Sequence, residues 1–185
     1  MQPDTGKPKT NYVLFVFYDL ETRQKKRIED NSYEHELNLC VFKQCCDVCI
    51  NTKDIVCKKY GLRLQKVQGE NVIASFMMHV LEIRKKFKEV VVIAHNGQAF
   101  DHQFILSHIL KKTDLTPEII MRGTKIILMQ LKNVKFLDSL NYFPMSLSAL
   151  LKAFGLKTLK KGYFPHLFNT LKNQNYVGPP PALEY

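Results

Sequence analysis

Long apolar runs are missing from this sequence: no stretch approaches the roughly 20 consecutive apolar residues that a membrane-spanning helix requires. The opening residues, Met1 to Lys9, are polar and hold no apolar signal-peptide core. No internal repeat is visible. For a chain of 185 residues these absences leave one domain, or one domain with a small insert, and the expectation is an intracellular protein with no membrane partner. Cysteines number five, and in a reducing compartment they stay reduced or bind metal rather than pair. Acids are the scarcer charge: 17 Asp and Glu stand against 27 Lys and Arg, a formal net charge of +10. Such an excess favours a polyanionic partner, because each neutralised phosphate releases condensed counterions.

The acids that are present stand in telling places. One apolar run, Tyr12 to Tyr18, delivers Asp19 and Glu21. A second, Val90 to Ala94, delivers His95, Asn96 and then Phe100-Asp101. Residues two apart on a strand share a face, so Asp19 and Glu21 present their carboxylates together. A third acid reaching that face from another strand end makes a hard, oxygen-rich pocket. Such a pocket suits Mg²⁺ or Mn²⁺, and two such ions clamp the attacking and leaving oxygens of a phosphodiester.

Periodicity supplies the frame for these motifs. Residues 12–18 read as a buried strand, 22–36 as a polar hairpin or extended loop, and Leu37 to Phe42 as a second strand. Residues 43–62 hold four of the five cysteines with little periodicity and read as an insert. Apolar residues recur at helical spacing from Asn71 to Phe87, with Met77 and Met78 expected in the core. A strand is expected at 89–95, a helix from Phe100 to Lys112, and short strands at Ile126–Leu131 and Val134–Leu137. Ser146 is a good N-cap for a helix that Gly155 would stop. Residues 156–185 are basic, aromatic and proline-rich, with little regular structure expected. This order fits an α/β domain, a mixed sheet with helices on its faces and sites at the carboxyl ends of its strands. His79 and His108 fall on amphipathic helices and read as packed side chains.

Tyr18-Asp19-Leu20-Glu21-Thr22 and His95-Asn96 with Phe100-Asp101 resemble the first two motifs of the DEDD-type 3′–5′ proofreading exonuclease domain of family B DNA polymerases. Phe136 to Met145, Lys160 to Asn169 and Asn173 to Gly178 resemble later segments of its protein-primed branch, closest to polymerases of Polinton/Maverick-type elements. The resemblance covers nearly the whole chain. It implies an RNase H-like fold over 1–185, with 156–185 leading towards a polymerase domain and a terminal protein as a further partner. It also implies a eukaryotic host, with the protein in nucleus or cytoplasm. Asp19, Glu21 and Asp101 resemble the Mg²⁺ or Mn²⁺ ligands. Thr22, His95, Asn96, Phe104, Ser139 and Leu140 resemble residues that hold single-stranded or primer-terminus DNA. Lys160 or Lys161 resembles a lysine that stabilises phosphate charge near the scissile bond. The family's third motif, Tyr-x-x-x-Asp, has no counterpart, since no Asp follows Asp138 in these 185 residues. Asp138 is a candidate substitute for that fourth ligand. Two functional readings follow: an exonuclease-like part of a DNA-directed DNA polymerase, or a non-catalytic single-strand-binding remnant.

Cys46-x-x-Cys49 is followed by Cys57-x-x-Tyr60. Two Cys-x-x-Cys pairs form a zinc knuckle or ribbon. Related sequences resemble that double pair, whereas here Tyr60 stands in the fourth place. Cys46, Cys49 and Cys57 are therefore candidate Zn²⁺ ligands, with Cys45 or Cys40 available to complete the set. The alternative is a decayed site of partly buried free thiols.

Overall fold

A computed structural model describes residues 10–29, 32–156 and 164–182. Strand β1 (Thr10–Glu29) alternates as the apolar run dictates: Leu14, Val16, Tyr18 and Leu20 are buried on one face, while Phe17 and Asp19 are exposed on the other. β2 (Ser32–Cys46) pairs with it antiparallel from Leu14↔Cys46 to Glu29↔Ser32. Residues 22–36, expected as a hairpin or loop, thus extend both strands. Opposed charges help to hold that polar stretch as sheet: Arg23 faces Glu36 and binds it at 2.8 Å.

The cysteine segment folds into a small antiparallel pair, β3 (Val56–Cys57) with β4 (Gly61–Leu62). The chain then returns as β5 (Leu64–Gln68) along the outer edge of β2. Helix α1 (Val72–Ile83) buries Val72, Phe76, Met77, Val80 and Ile83, the stripe its periodicity demands. It stops four residues short of Phe87. Arg84–Lys86 form a 3₁₀ turn, and Phe87 is instead the buried first residue of β6 (Phe87–Ala94). Met78, expected in the core, points outward and is exposed. His79 is packed as expected, its ring against Phe42 and its Nε2 2.9 Å from Gln44 Oε1.

Helix α2 (Asp101–Lys112) follows β6 through a 3₁₀ turn at Gly97–Ala99. Strands β7 (Glu118–Arg122), β8 (Lys125–Leu131) and β9 (Val134–Asp138) complete the sheet. Its order is β5-β2-β1-β6-β9-β8-β7. β1, β6 and β9 run parallel, flanked by antiparallel neighbours, which is the RNase H-like arrangement. Ser146 Oγ accepts from Ala149 N at the start of α3 (Leu147–Ala153), and Gly155 follows its end at φ +68°. No residue of α3 is buried. A 3₁₀ turn at Leu171–Asn173 is the regular element among the described residues of 156–182. No described helix is long and apolar enough to cross a membrane.

Candidate active site

Parallel pairing aligns the carboxyl ends of the three central strands. Phe17 is in register with Ile93, and Ala94 with Asp138, so β1 runs on past the ends of its neighbours carrying Asp19 and Glu21. Asp101 opens α2, where a carboxylate is favoured by the helix dipole. Its Oδ1 accepts a hydrogen bond from Leu20 N at 3.2 Å, which ties the helix start to the strand between the two other acids. Asp101 is buried, and burial together with the nearby Asp19 carboxylate raises it from 3.8 to about 6. Asp19 is exposed and Glu21 partly buried. Among the described residues, only Cys46, Cys49 and Cys57 bring three potential ligand atoms within 4.8 Å of one another. The three carboxylates are therefore set more widely than a single-ion tripod.

The raised Asp101 has a consequence for stability. Between about pH 4 and pH 6 the folded protein keeps a proton that the unfolded chain has released. Stability contributed by that proton is present below pH 4 and lost as pH rises through 6, a penalty of up to about 3 kcal/mol at neutral pH. Asp101→Asn keeps an acceptor for Leu20 N and removes the charge. It is expected to be more stable than the parent in denaturant titrations at pH 7 and nearly equal to it at pH 4. A variant less stable at both values would show the carboxylate to be well accommodated.

Asp138, offered by the sequence as a fourth ligand, has another job. It is fully buried at the end of β9, and three backbone N–H groups point at it. Oδ1 accepts from Asn96 N and Leu140 N, each at 2.8 Å, and Oδ2 from Gln98 N at 2.9 Å. A carboxylate so enclosed by donors is a cap for two turns rather than a ligand open to an ion. One of those turns needs unusual backbone: Asn96 sits at φ +66°, which Asn tolerates better than most residues. A Cβ on Gly97 would lie 2.5 Å from the Ala94 Cβ and 3.3 Å from Asp101 Oδ2, so this glycine admits the turn against the strand.

The other expected DNA contacts gather around the same rim. Ser139 Oγ donates to Ala94 O at 3.1 Å, so its bond to His95 at 2.9 Å takes its proton from His95 Nδ1. That assignment leaves His95 Nε2 as the acceptor of the ring. Thr22 Oγ1 meets His35 Nδ1 at 3.0 Å. Phe100 is exposed, edge-on to both His35 and Phe104, whereas Phe104 packs against the core. Leu140 lies in the 3₁₀ turn that Asp138 caps. Lys160 and Lys161 lie outside the described residues.

Sequence reasoning assigned no role to His166, yet its Nδ1 lies 3.8 Å from Glu21 Oε2. The segment carrying it is latched over the β1–β2 ribbon. Asn169 Nδ2 donates to Thr22 O at 3.0 Å and to Asn38 Oδ1 at 3.2 Å, and Arg23 donates to Gln174 Oε1 at 2.8 Å. The amides of Asn169 and Gln174 were the available signal, since both lie in the segments whose pattern resembled the exonuclease.

At the other end of β2, the Sγ of Cys46 lies 3.9 Å from that of Cys49 and 3.9 Å from that of Cys57. All three are buried. Neither expected substitute joins them. Cys40 is buried opposite Leu20, where burial and the acids Asp19 and Asp101 push its thiol up to about 12. Cys45 follows the strand alternation to the face away from Cys46.

The profile of the family described as DNA polymerase type B, organellar and viral, matches residues 83–185. A probable DNA polymerase of Ascobolus immersus is 38% identical over 130 residues, 63% of this chain and 10% of that protein. The structure of Phi29 DNA polymerase complexed with single-stranded DNA superposes with a TM-score of 0.55 at 16% identity, over 83% of this chain and 25% of that one. The chain thus spans about a tenth of the curated relative and a quarter of the solved one.

Proposed function

This chain belongs to the organellar and viral type B DNA polymerases, and from that membership we propose that it forms the 3′–5′ exonuclease-like part of a protein-primed replicative enzyme. The observation that carries the reading is Asp101. It is held by Leu20 N between Asp19 and Glu21, and burial together with the Asp19 charge raises it to about 6. Carboxylates gathered at a strand end, with His166 beside one of them, fit a site that takes divalent metal.

The donor set is hard oxygen, which suits Mg²⁺ or Mn²⁺ held by Asp19, Glu21 and Asp101. Asp19, Glu21 and Asp101 would hold one or two such ions. When bound, such ions activate water and neutralise the leaving oxygen of a phosphodiester. The residues around them do the positioning. Phe100 offers a stacking face to a terminal base. His95 Nε2, the Asn96 side chain and Thr22 offer hydrogen bonds to sugar and base. Lys161 is assigned to the phosphate.

Single-stranded 3′ ends are accordingly the substrate, with a polymerase domain and a terminal protein as partners in a reducing nuclear or cytoplasmic compartment. The cysteine cluster is read as a structural zinc site. Its 3.9 Å sulfur separations match the edge of about 3.8 Å of a tetrahedron with Zn–S bonds of about 2.3 Å.

Fluorescence anisotropy with end-labelled oligonucleotides tests the end preference. A free 3′ terminus is expected to bind several-fold tighter than the same strand with a 3′ phosphate, at metal concentrations that support binding. Affinity should fall steeply between 50 and 200 mM salt, on the order of 10-fold or more. Phe100→Ala combined with His95→Ala should erase the end preference and leave the salt slope. Equal affinity for free, blocked and circular strands would count against the exonuclease reading.

A further inference from the structure

The cysteine cluster has three sulfurs, and zinc in structural sites is almost always four-coordinate. The fourth place in the double Cys-x-x-Cys pattern is taken by Tyr60. A tyrosine there reads as the loss of a ligand, because its side chain is far longer than that of cysteine. The structure puts its oxygen back into the cluster. Cys57 pairs with Gly61 across the β3–β4 hairpin, and Tyr60 lies in the turn between them. From that turn the phenol reaches Cys49, with Oη 3.0 Å from its Sγ.

The direction of the phenol proton matters as much as the distance. Tyr60 Oη donates to the Gln44 carbonyl at 2.7 Å. Its one proton is therefore engaged with that carbonyl, which leaves the lone pairs of the oxygen to face the Cys49 sulfur. Ligands held in this manner, with the far side hydrogen-bonded to a backbone carbonyl, are oriented before any ion arrives. The sulfur side is ordered too. Cys46 N donates to Cys49 Sγ at 3.3 Å, and Cys49 N and Ile50 N both close on Cys46 O at 2.9 Å.

We propose that Tyr60 is the fourth ligand: a zinc-class divalent ion sits among the sulfurs of Cys46, Cys49 and Cys57 and the phenol oxygen of Tyr60. This rests on the zinc reading given above and specifies its fourth ligand. The bond to Gln44 lets the oxygen coordinate as a phenol, so no base is required to remove its proton. A neutral oxygen is a weaker partner for zinc than a thiolate. The site should therefore bind less tightly than one with four thiolates, and exchange its metal faster.

The test uses the full chain, kept reduced, with cobalt(II) as a spectroscopic stand-in and zinc measured by competition with a chromophoric chelator. The parent is expected to bind one equivalent of metal. Tyr60→Phe should weaken zinc on the order of 10-fold or more, the cost typical of lost ligand-orienting contacts, and shift the cobalt absorption bands. Tyr60→Cys should tighten zinc by at least as much and move the cobalt spectrum to a four-thiolate pattern. If Tyr60→Phe fails to fold, the cysteine variant decides. Identical affinity and spectra in parent and variants would overturn the role of Tyr60 and leave the three-sulfur zinc site standing. Absence of zinc binding by the parent would overturn both.

Discussion

Asp138→Ala is expected to destabilise the protein by about 4 kcal/mol, enough to lower its melting temperature by roughly 10 °C. The estimate follows from what surrounds the side chain. Asp138 is fully buried and accepts from Asn96 N, Gln98 N and Leu140 N at 2.8 to 2.9 Å. Hydrogen bonds to a charged group contribute about 1.5–3 kcal/mol each, and a buried donor left unsatisfied adds its own desolvation cost. The three do not add fully, since the freed turns relax towards water. Asp138→Asn should cost about half as much. Its amide oxygen can still serve the two donors on one side, but its NH₂ then faces the Gln98 N–H. Urea titration measures both. The functional effect should follow from the Asn96 turn, with weaker binding of 3′ ends and slower turnover. A variant of unchanged stability that loses divalent-metal binding would show instead that Asp138 is a ligand.

A purified polypeptide of these 185 residues is expected to bind single-stranded 3′ ends yet digest them on the order of 10³-fold or more slowly than a site with four acids. The reason is a count of ligands. Each hard cation needs several oxygens, and Mg²⁺ tolerates little distortion. Asp19, Glu21 and Asp101 supply three carboxylates. Asp138 is committed to backbone donors and supplies none to an ion. No tyrosine of a Tyr-x-x-x-Asp motif is present in this polypeptide to aim the water. Binding rests on different groups, the basic residues and the aromatic rim, and should survive. The assay is end-labelled single-stranded DNA with Mg²⁺ or Mn²⁺, beside an Asp19→Ala control. Rapid stepwise digestion abolished by that control would mean that three acids suffice, or that His166 beside Glu21 supplies what the count omits.

Much of the architecture was legible before any coordinates. β-branched and aromatic runs specify β1, β6 and β9, because such side chains fit a pleated, buried surface whatever their neighbours. The period of α1 and the caps of α3 are local properties of the same kind. Where reading failed or left a choice open, a distant partner had overruled or completed the local pattern. Residues 22–36 read as a polar hairpin or an extended loop, and the pairing of Arg23 with Glu36 decided for the hairpin. Phe87 continues the helical spacing of α1, but burial at the start of β6 was the stronger claim on it. β5 and β7 are short and lie at the sheet edges, where no residue is buried and so no long apolar run marks them.

The candidate site divides along the same line. By itself the sequence determined that Asp19 and Glu21 share a strand face, that Asp101 opens a helix after a turn, that three cysteines stand at knuckle spacing and that the surface is basic. Each of these is a matter of spacing within one element or of composition. Only the tertiary structure decided that Asp101 binds Leu20 N, that Asp138 caps two turns, that His166 lies beside Glu21 and that Tyr60 reaches Cys49 while leaning on Gln44. Hydrogen bonds have direction, and which donor meets which acceptor depends on strand register and turn geometry. Those are properties of the packed sheet, set by all its strands at once.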